Sequence, residues 1–347
     1  MRILAVLTVR NEAAFLLEWL AHHRVVGFSD VLVFSNDCAD GTDALLDRLM
    51  ARGLLTHVRN AATDDGGVQW SALKQADKHP LTRAADWILP FDIDEFVNIH
   101  AGDGRLADLF AALPEATAIT LTWRLFGNGG IVRYADAPVT EQFTRAAPVP
   151  CYWPWRAAMF KTLFRNDGTY RKLGVHRPRN PDPARVDDAA WFDGSGRRLP
   201  ELYHRQKLFS PYWQANNGLV QLNHYALGAM ESFVLKADRG RAVHAQDQLG
   251  IGYWMDRNFD ASEDLTIARY RDETRAEIAA LMADEETASL HQAGVAWRHR
   301  RFRELMADEP MRALFGQLRM APPTRPLDRD AAGELMRWAQ AAMRRQG

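Results

Sequence analysis

The chain has 347 residues, 47% of them hydrophobic and 25% charged, with a formal net charge of −1. This is an ordinary globular composition, and its near-neutral charge argues against nucleic acid as the main partner. Two cysteines, Cys38 and Cys151, lie far apart and offer neither a metal-ligand spacing nor a disulfide framework, which fits a reducing cytoplasm.

Residues 2–9 are apolar and β-branched and are predicted as a first strand; the run is too short for a signal-peptide core. A helix follows Arg10-Asn11-Glu12, with Phe15, Leu16, Trp19, Leu20 and His23 on one face. Residues 30–35 are a second strand and 36–41 a polar turn. Thr42 or Asp43 opens a helix that turns Leu45, Leu46 and Leu49 inward and stops at Gly53. A third strand is expected over 54–58, a helix over 67–79, a strand ending at Asp92, and another over 118–123. From about 130 to 225 the pattern weakens in a stretch rich in Pro, Gly, Trp and Arg. Trp153, Trp155, Trp191 and Trp213 there either line a pocket or fill a core. A helix over 229–241 and charged helices from 262 onward complete the chain, with Pro322-Pro323 before the last one. No run of about 18 apolar residues exists to cross a membrane.

Strand and helix alternate with short connections. This predicts an α/β fold, a mostly parallel sheet with helices on both faces. Ligands of such sheets sit outside the strands' carboxyl ends. The polar turns at 10–12, 36–41 and 92–95 all fall on that edge. Most informative is Trp87-Ile88-Leu89-Pro90-Phe91, an apolar run that ends in Asp92, Asp94 and Glu95. Acids there are costly unless something positive meets them. Asp92 and Asp94 are two apart, so on an extended backbone they leave on the same side. Two convergent carboxylates suit Mg²⁺ or Mn²⁺ bridged to phosphate oxygens.

Thr8-Val9-Arg10-Asn11-Glu12, Glu18-Trp19 with His22-His23, Gly27, Ser35-Asn36-Asp37, Asp40-Gly41-Thr42 and Asp92-Ile93-Asp94-Glu95-Phe96 together carry a resemblance. So do Asn223-His224-Tyr225, Ser232-Phe233, Lys236 and Arg239-Gly240. The sequence resembles the GT-A fold nucleotide-sugar glycosyltransferases, in their family 2-like and family 92-like bacterial branch, over residues 3–245. The resemblance implies a Rossmann-like GT-A domain at 1–260, with a nucleotide-binding half (1–125) and an acceptor- and metal-completing half (126–260). A helical extension follows at 261–347. It implies transfer of a hexose from a nucleotide-diphosphate sugar, UDP-linked, to a saccharide or lipid-linked glycan, with inversion. The setting would be the cytoplasm or the inner face of the membrane.

Carried over residue by residue, Thr8, Arg10, Asn11 and Glu12 would line the nucleotide pocket, and Asp37 would meet the uracil or ribose. Asp92 and Asp94 would hold Mn²⁺ or Mg²⁺ and the diphosphate, with His176 or His224 completing the shell. Lys236 and Arg239 are three apart, so one helix face aims both at phosphates, unless that face is merely solvated. Inversion needs a carboxylate base. Glu231 is the candidate, although a helix's first turn attracts acids anyway. Glu95 is the alternative, or a brace for the metal ligands. Asn11 and Glu12 also suit capping of the first helix. The basic stretch 298–303 beside Trp297 suits either a solvated helix or peripheral contact with an anionic membrane.

Other classes fit less well. A nucleotidyltransferase would show a glycine-rich loop where Arg10-Asn11-Glu12 stands. An aspartyl phosphatase would carry its Asp-x-Asp after the first strand. A non-catalytic nucleotide- or glycan-binding module is separable only by activity.

Overall fold

The computed structural model describes residues 1–60, 67–240 and 249–346. Nine strands form the main sheet: β1 (Ile3–Val9), β2 (Asp30–Ser35), β3 (Thr56–Arg59), β4 (Trp87–Phe91), β5 (Glu95–Ile99), β6 (Ala118–Leu125), β7 (Phe160–Arg165), β8 (Trp191–Asp193) and β9 (Val220–His224). The helices of seven or more residues are α1 (Ala13–Val26), α2 (Thr42–Ala51), α3 (Val68–Ala76), α4 (Leu106–Ala112), α5 (Met230–Arg239), α6 (Arg271–Met282), α7 (Glu285–Leu305), α8 (Glu309–Met320) and α9 (Arg329–Gln346). Arg241, the expected end of α5, lies outside the described residues.

The sheet order is β3-β2-β1-β4-β7-β6-β9-β5, with β8 added on β6. Among the described residues five of its eight pairings are parallel. The mostly parallel α/β reading therefore holds, and the antiparallel contacts come from β5 and β7. In β1, Ile3, Ala5, Leu7 and Val9 enter one core, and Leu4 and Val6 the other. A strand buried on both faces needs apolar residues at every position. α1 and α2 cover the first face with Leu16, Leu20, Leu45 and Leu49, and α3 covers the second with Ala72 and Leu73. Each buried leucine contributes roughly 1.5–3 kcal/mol. α1 stops at Gly27, whose φ of 117° suits glycine and whose N–H closes on the His23 carbonyl at 3.1 Å.

The chain winds from β1 through β2 to β3, then returns to place β4 on the other side of β1. Ligands of open α/β sheets bind in the crevice at such a reversal. Leu7 pairs with Phe91 there, so Thr8–Arg10 and Asp92–Asp94 leave the sheet side by side.

The weakly patterned stretch supplies three strands of the main sheet. β7 enters antiparallel between β4 and β6, and β9 runs antiparallel to β5 with His224 opposite Glu95. α6 and α7 pack on α1, and α7 also touches α2 and α5. At the α1–α7 crossing a Cβ on Gly294 would stand 2.5 Å from the Ala13 Cβ, so the approach requires glycine. Arg298, four residues on, shares that face and is carried beneath the start of α1. Among the described residues no helix is long and apolar enough to cross a membrane.

Candidate active site

β4 ends in a tight turn. Glu95 N–H donates to the Asp92 carbonyl at 3.0 Å, and Asp92 N–H donates to the Glu95 carboxylate at 2.8 Å. The other Glu95 oxygen accepts from Trp123 Nε1 at 2.6 Å, in full burial. Burial pushes the Glu95 carboxyl up to about 8, against the pull of Lys161. Sealed beneath the turn, Glu95 braces Asp92 and faces no cavity. The structure thus removes it from reach of a substrate proton.

Each of the other two carboxylates meets a lysine. Asp92 accepts from Lys161 Nζ at 2.9 Å and from Gln69 Nε2 at 3.2 Å. Burial opposes the Lys161 charge, but Asp92 and Glu95 outweigh it and raise its pKa. Asp94 accepts from Lys236 Nζ at 2.7 Å, and Lys236 also donates to the Ala226 carbonyl at 2.8 Å. Burial opposes the Asp94 charge as well, yet Lys236 and His224 hold its carboxyl well below the usual range. The β5–β9 register brings His224 Nε2 to 3.7 Å from Asp94, and Tyr225 N–H donates to the Asp94 carbonyl at 2.8 Å.

Trp123, on β6, stands between the two histidines, with ring centroids 5.7 Å from His176 and 4.4 Å from His224. His176 Nδ1 meets the Phe160 carbonyl at 3.1 Å, which assigns the proton to Nδ1 and leaves Nε2 a bare acceptor. Burial keeps His176 neutral, down to about 3, and also lowers His224.

A cavity of about 1240 Å³ opens over these groups. Thr8, Arg10 and Glu12 line it from the end of β1, and Asp92, Asp94, His176 and His224 from the centre. Lys236, Arg239 and Arg257 close its far side. Arg239 bridges Glu12 and donates to the Arg10 carbonyl at 2.7 Å, tying α5 to the end of β1.

Three sequence candidates are placed elsewhere. Asn11, at φ 57°, accepts from Ala39 N–H at 2.7 Å, which pins the loop after β2, and its side chain is not on this wall. Asp37, at φ 42°, is exposed at the end of β2 and is also off the wall. Glu231 accepts from Tyr134 N–H at 3.0 Å and lines neither this cavity nor its neighbour. As an acid in a first helical turn it is satisfied there, so the structure does not bring it to the chemistry. Trp213 lines a separate cleft of about 490 Å³, and Trp191 fills the core.

Sequence reasoning missed Lys161, Trp123, Gln69 and Arg257. Lys161 left one signal, a single basic residue inside Phe160-Lys161-Thr162-Leu163-Phe164. Arg257 lies 3.6 Å over the Tyr253 ring, and its enclosed Nε has no partner among the described residues.

A second cleft, of about 720 Å³, backs onto the first and shares Glu12, Ile93, Asp94, Lys236 and Arg239 with it. Trp297 and Arg298 face into it, and Arg301 pairs with Asp238 at 3.0 Å. These residues are turned inward, which leaves His299, Arg300 and Arg303 as the exposed members of the basic stretch rather than a membrane-facing patch with Trp297.

The donors present suit a hard divalent cation. Asp92 and Asp94 supply oxygens, His224 stands beside Asp94 with its buried Nδ1 unpartnered, and His176 presents a neutral Nε2. Among the described residues no three such groups converge as a ready-made cage, since the lysines engage the carboxylates.

The model of glycosyltransferase family 92 matches residues 5–189, the segment running from β1 through the Asp92–Glu95 turn to Lys161 and His176. A glycosyltransferase family 92 protein of Oryza sativa subsp. japonica is 20% identical over 265 residues, covering 74% of this chain. The chain spans 37% of that relative's length. The solved fragment 1–349 of S. aureus TarS is similar at 14% identity, over 90% of this chain and 83% of that one, with a TM-score of 0.32. The same fragment in complex with UDP is similar at 16% identity, over 48% and 47%, with a TM-score of 0.31. Likeness at such scores says nothing of the site. The family 92 match takes in more than half of the chain and both carboxylates of the turn, and on it the chain belongs to glycosyltransferase family 92.

Proposed function

We propose that this chain is a metal-assisted glycosyltransferase that moves a hexose from a UDP-linked donor to a saccharide or lipid-linked glycan. One observation carries the reading. The carboxylate turn at the β1–β4 reversal faces a cavity whose wall also presents Arg10, Lys236, Arg239 and Arg257. Such a wall suits a diphosphate, with the nucleoside over the ends of β1 and β2 and Asp37 at its outer edge. The hexose then points toward Trp123, His176 and His224. Asp92, Asp94 and His224 would hold Mn²⁺ or Mg²⁺, with His176 beside them. When bound, the ion neutralises charge on the departing diphosphate. Lys236 and Arg239 exchange their carboxylate partners for phosphate oxygens.

In an inverting displacement the acceptor oxygen bonds to the anomeric carbon as the nucleoside diphosphate leaves, and the acceptor proton passes to a carboxylate. Glu95 is sealed and Glu231 is engaged by Tyr134. Glu12, on the wall shared by both clefts, is the carboxylate we assign to that proton.

Calorimetry of UDP and GDP against the full chain, with Mn²⁺ and with chelator, tests the donor reading. UDP is expected to bind with Mn²⁺ and to weaken without it. Absence of binding by either nucleotide in both conditions overturns the reading.

A further inference from the structure

Arg298 lies on α7, 6% exposed, on the wall of the second cleft. Its enclosed Nε has no partner, and among the described residues none pairs with or accepts a hydrogen bond from this guanidinium. It is packed between two rings, 4.5 Å from the Phe15 centroid and 4.8 Å from the Tyr134 centroid. Arginine does not deprotonate in proteins, so a full positive charge is held out of water with no direct ion pair among the described residues. The other charges on this wall are matched: Glu12 by Arg239, Asp94 by Lys236, and Asp238 by Arg301. Glu12 and Asp40 lie within electrostatic range, but Glu12 is held by Arg239, and the Asp40 oxygens accept from Ala13 N–H and from Thr42. Among the described residues no carboxylate reaches this guanidinium, which lines the cleft.

The rest of the wall is mostly apolar, with Phe15, Leu227, Leu235 and Trp297 joined by the Ser232 hydroxyl. Flat apolar surface with a few polar groups suits the face of a pyranose ring. The wall shared with the larger cavity places an occupant beside Asp94 and Glu12. A neutral sugar would leave Arg298 unpaired, whereas an anionic one would give it a charge-assisted hydrogen bond.

We propose that the second cleft takes the acceptor, and that this acceptor is a sugar bearing a carboxylate or phosphate, anchored by Arg298. The proposal rests on the glycosyltransferase reading above, and its test separates the two. Glucose, glucuronate and glucose 6-phosphate are titrated into the full chain by saturation-transfer NMR, and UDP with Mn²⁺ is titrated into the same samples. At least one anion is expected to bind wild type roughly tenfold or more tighter than glucose. Which anion does so names the group. Arg298→Met should erase the preference and Arg298→Lys should keep part of it. Ser232→Phe, which fills the cleft from α5, should abolish binding of all three sugars. None of these variants should change UDP affinity. If Arg298→Met does not fold, Arg298→Lys and Ser232→Phe decide the matter. Equal affinity of wild type for glucose and both anions, or a preference that survives Arg298→Met or Ser232→Phe, overturns the assignment. If the anion pattern holds while UDP fails to bind, the donor reading falls and the anion site stands.

Discussion

Lys161 Nζ lies 2.9 Å from Asp92 and 3.6 Å from Glu95, reaching from β7 to the turn that ends β4. The side chain is 1% exposed, so its charge is held out of water against Asp92, with the Glu95 carboxyl, raised by burial, beside it. Removing one partner of such a group strands the other. Lys161→Met should therefore destabilise the fold by about 3–5 kcal/mol. Adding Glu95→Gln should recover part of that loss, because the buried carboxyl that lost its cation goes as well. Urea unfolding of the single and double variants measures both; a single variant as stable as wild type contradicts the pairing.

Asp94→Asn removes the carboxylate that holds Lys236 and stands beside His224. The variant should fold and should lose roughly tenfold or more in UDP affinity with Mn²⁺ present, about 1.4 kcal/mol. With chelator, wild type and variant should bind alike. Calorimetry in the two conditions makes the comparison. Loss of the same size in both would show that Asp94 acts without the ion.

Glu12 and Glu231 are separated by one pair of rate measurements. Glu231→Gln should transfer at near wild-type rate and lose only about 0.3–1 kcal/mol of stability, from its place in the first turn of α5. Glu12→Gln should still bind donor, while the transfer rate falls by roughly 10² or more. A slow Glu231 variant beside a fast Glu12 variant would exchange the two assignments.

His22 gives a pH dependence with a definite sign. Its Nε2 meets the Val97 carbonyl at 2.8 Å in full burial, and burial pushes its pKa down to about 4; burial also holds His23 well below the usual range. In the unfolded chain a histidine titrates near 6.5. Between about 6.5 and 4 the unfolded state binds the extra proton, so stability falls as pH drops through that window. For His22 alone the loss is on the order of 3 kcal/mol by pH 4. Urea unfolding at pH 7.5 and 4.5 should show the fall, and His22→Gln should flatten it. A slope unchanged in that variant would assign the acid sensitivity to other groups.

The first half of the fold was legible because strands buried on both faces must be apolar throughout, and β1, β2 and β4 read that way. β7 and β9 did not. β7 carries Lys161, and β9 carries Gln221, Asn223 and His224, all buried. Two of these polar groups are satisfied from afar, Lys161 by Asp92 and Gln221 by Asp264, while Asn223 donates to Tyr225 two residues on. A strand whose partners come from another part of the chain looks like a loop in sequence. The same reasoning divides the site. Asp92 and Asp94 stood out because their strand made them anomalous. Arg257 and Arg298 sit in segments where arginine is unremarkable, and tertiary packing alone decides that they are buried. Asp37 takes a left-handed backbone at the end of β2 and stands exposed at the margin of the cavity, which a turn-forming sequence does not reveal.

The touch of Gly294 on Ala13 sets α7 against α1 as a back wall of the second cleft. A fragment ended at residue 260 would keep every carboxylate of the turn yet lack Trp297 and Arg298, and the helices that cover α1. Such a shortened chain should aggregate during expression rather than work slowly, and insertions or fusions are better placed elsewhere.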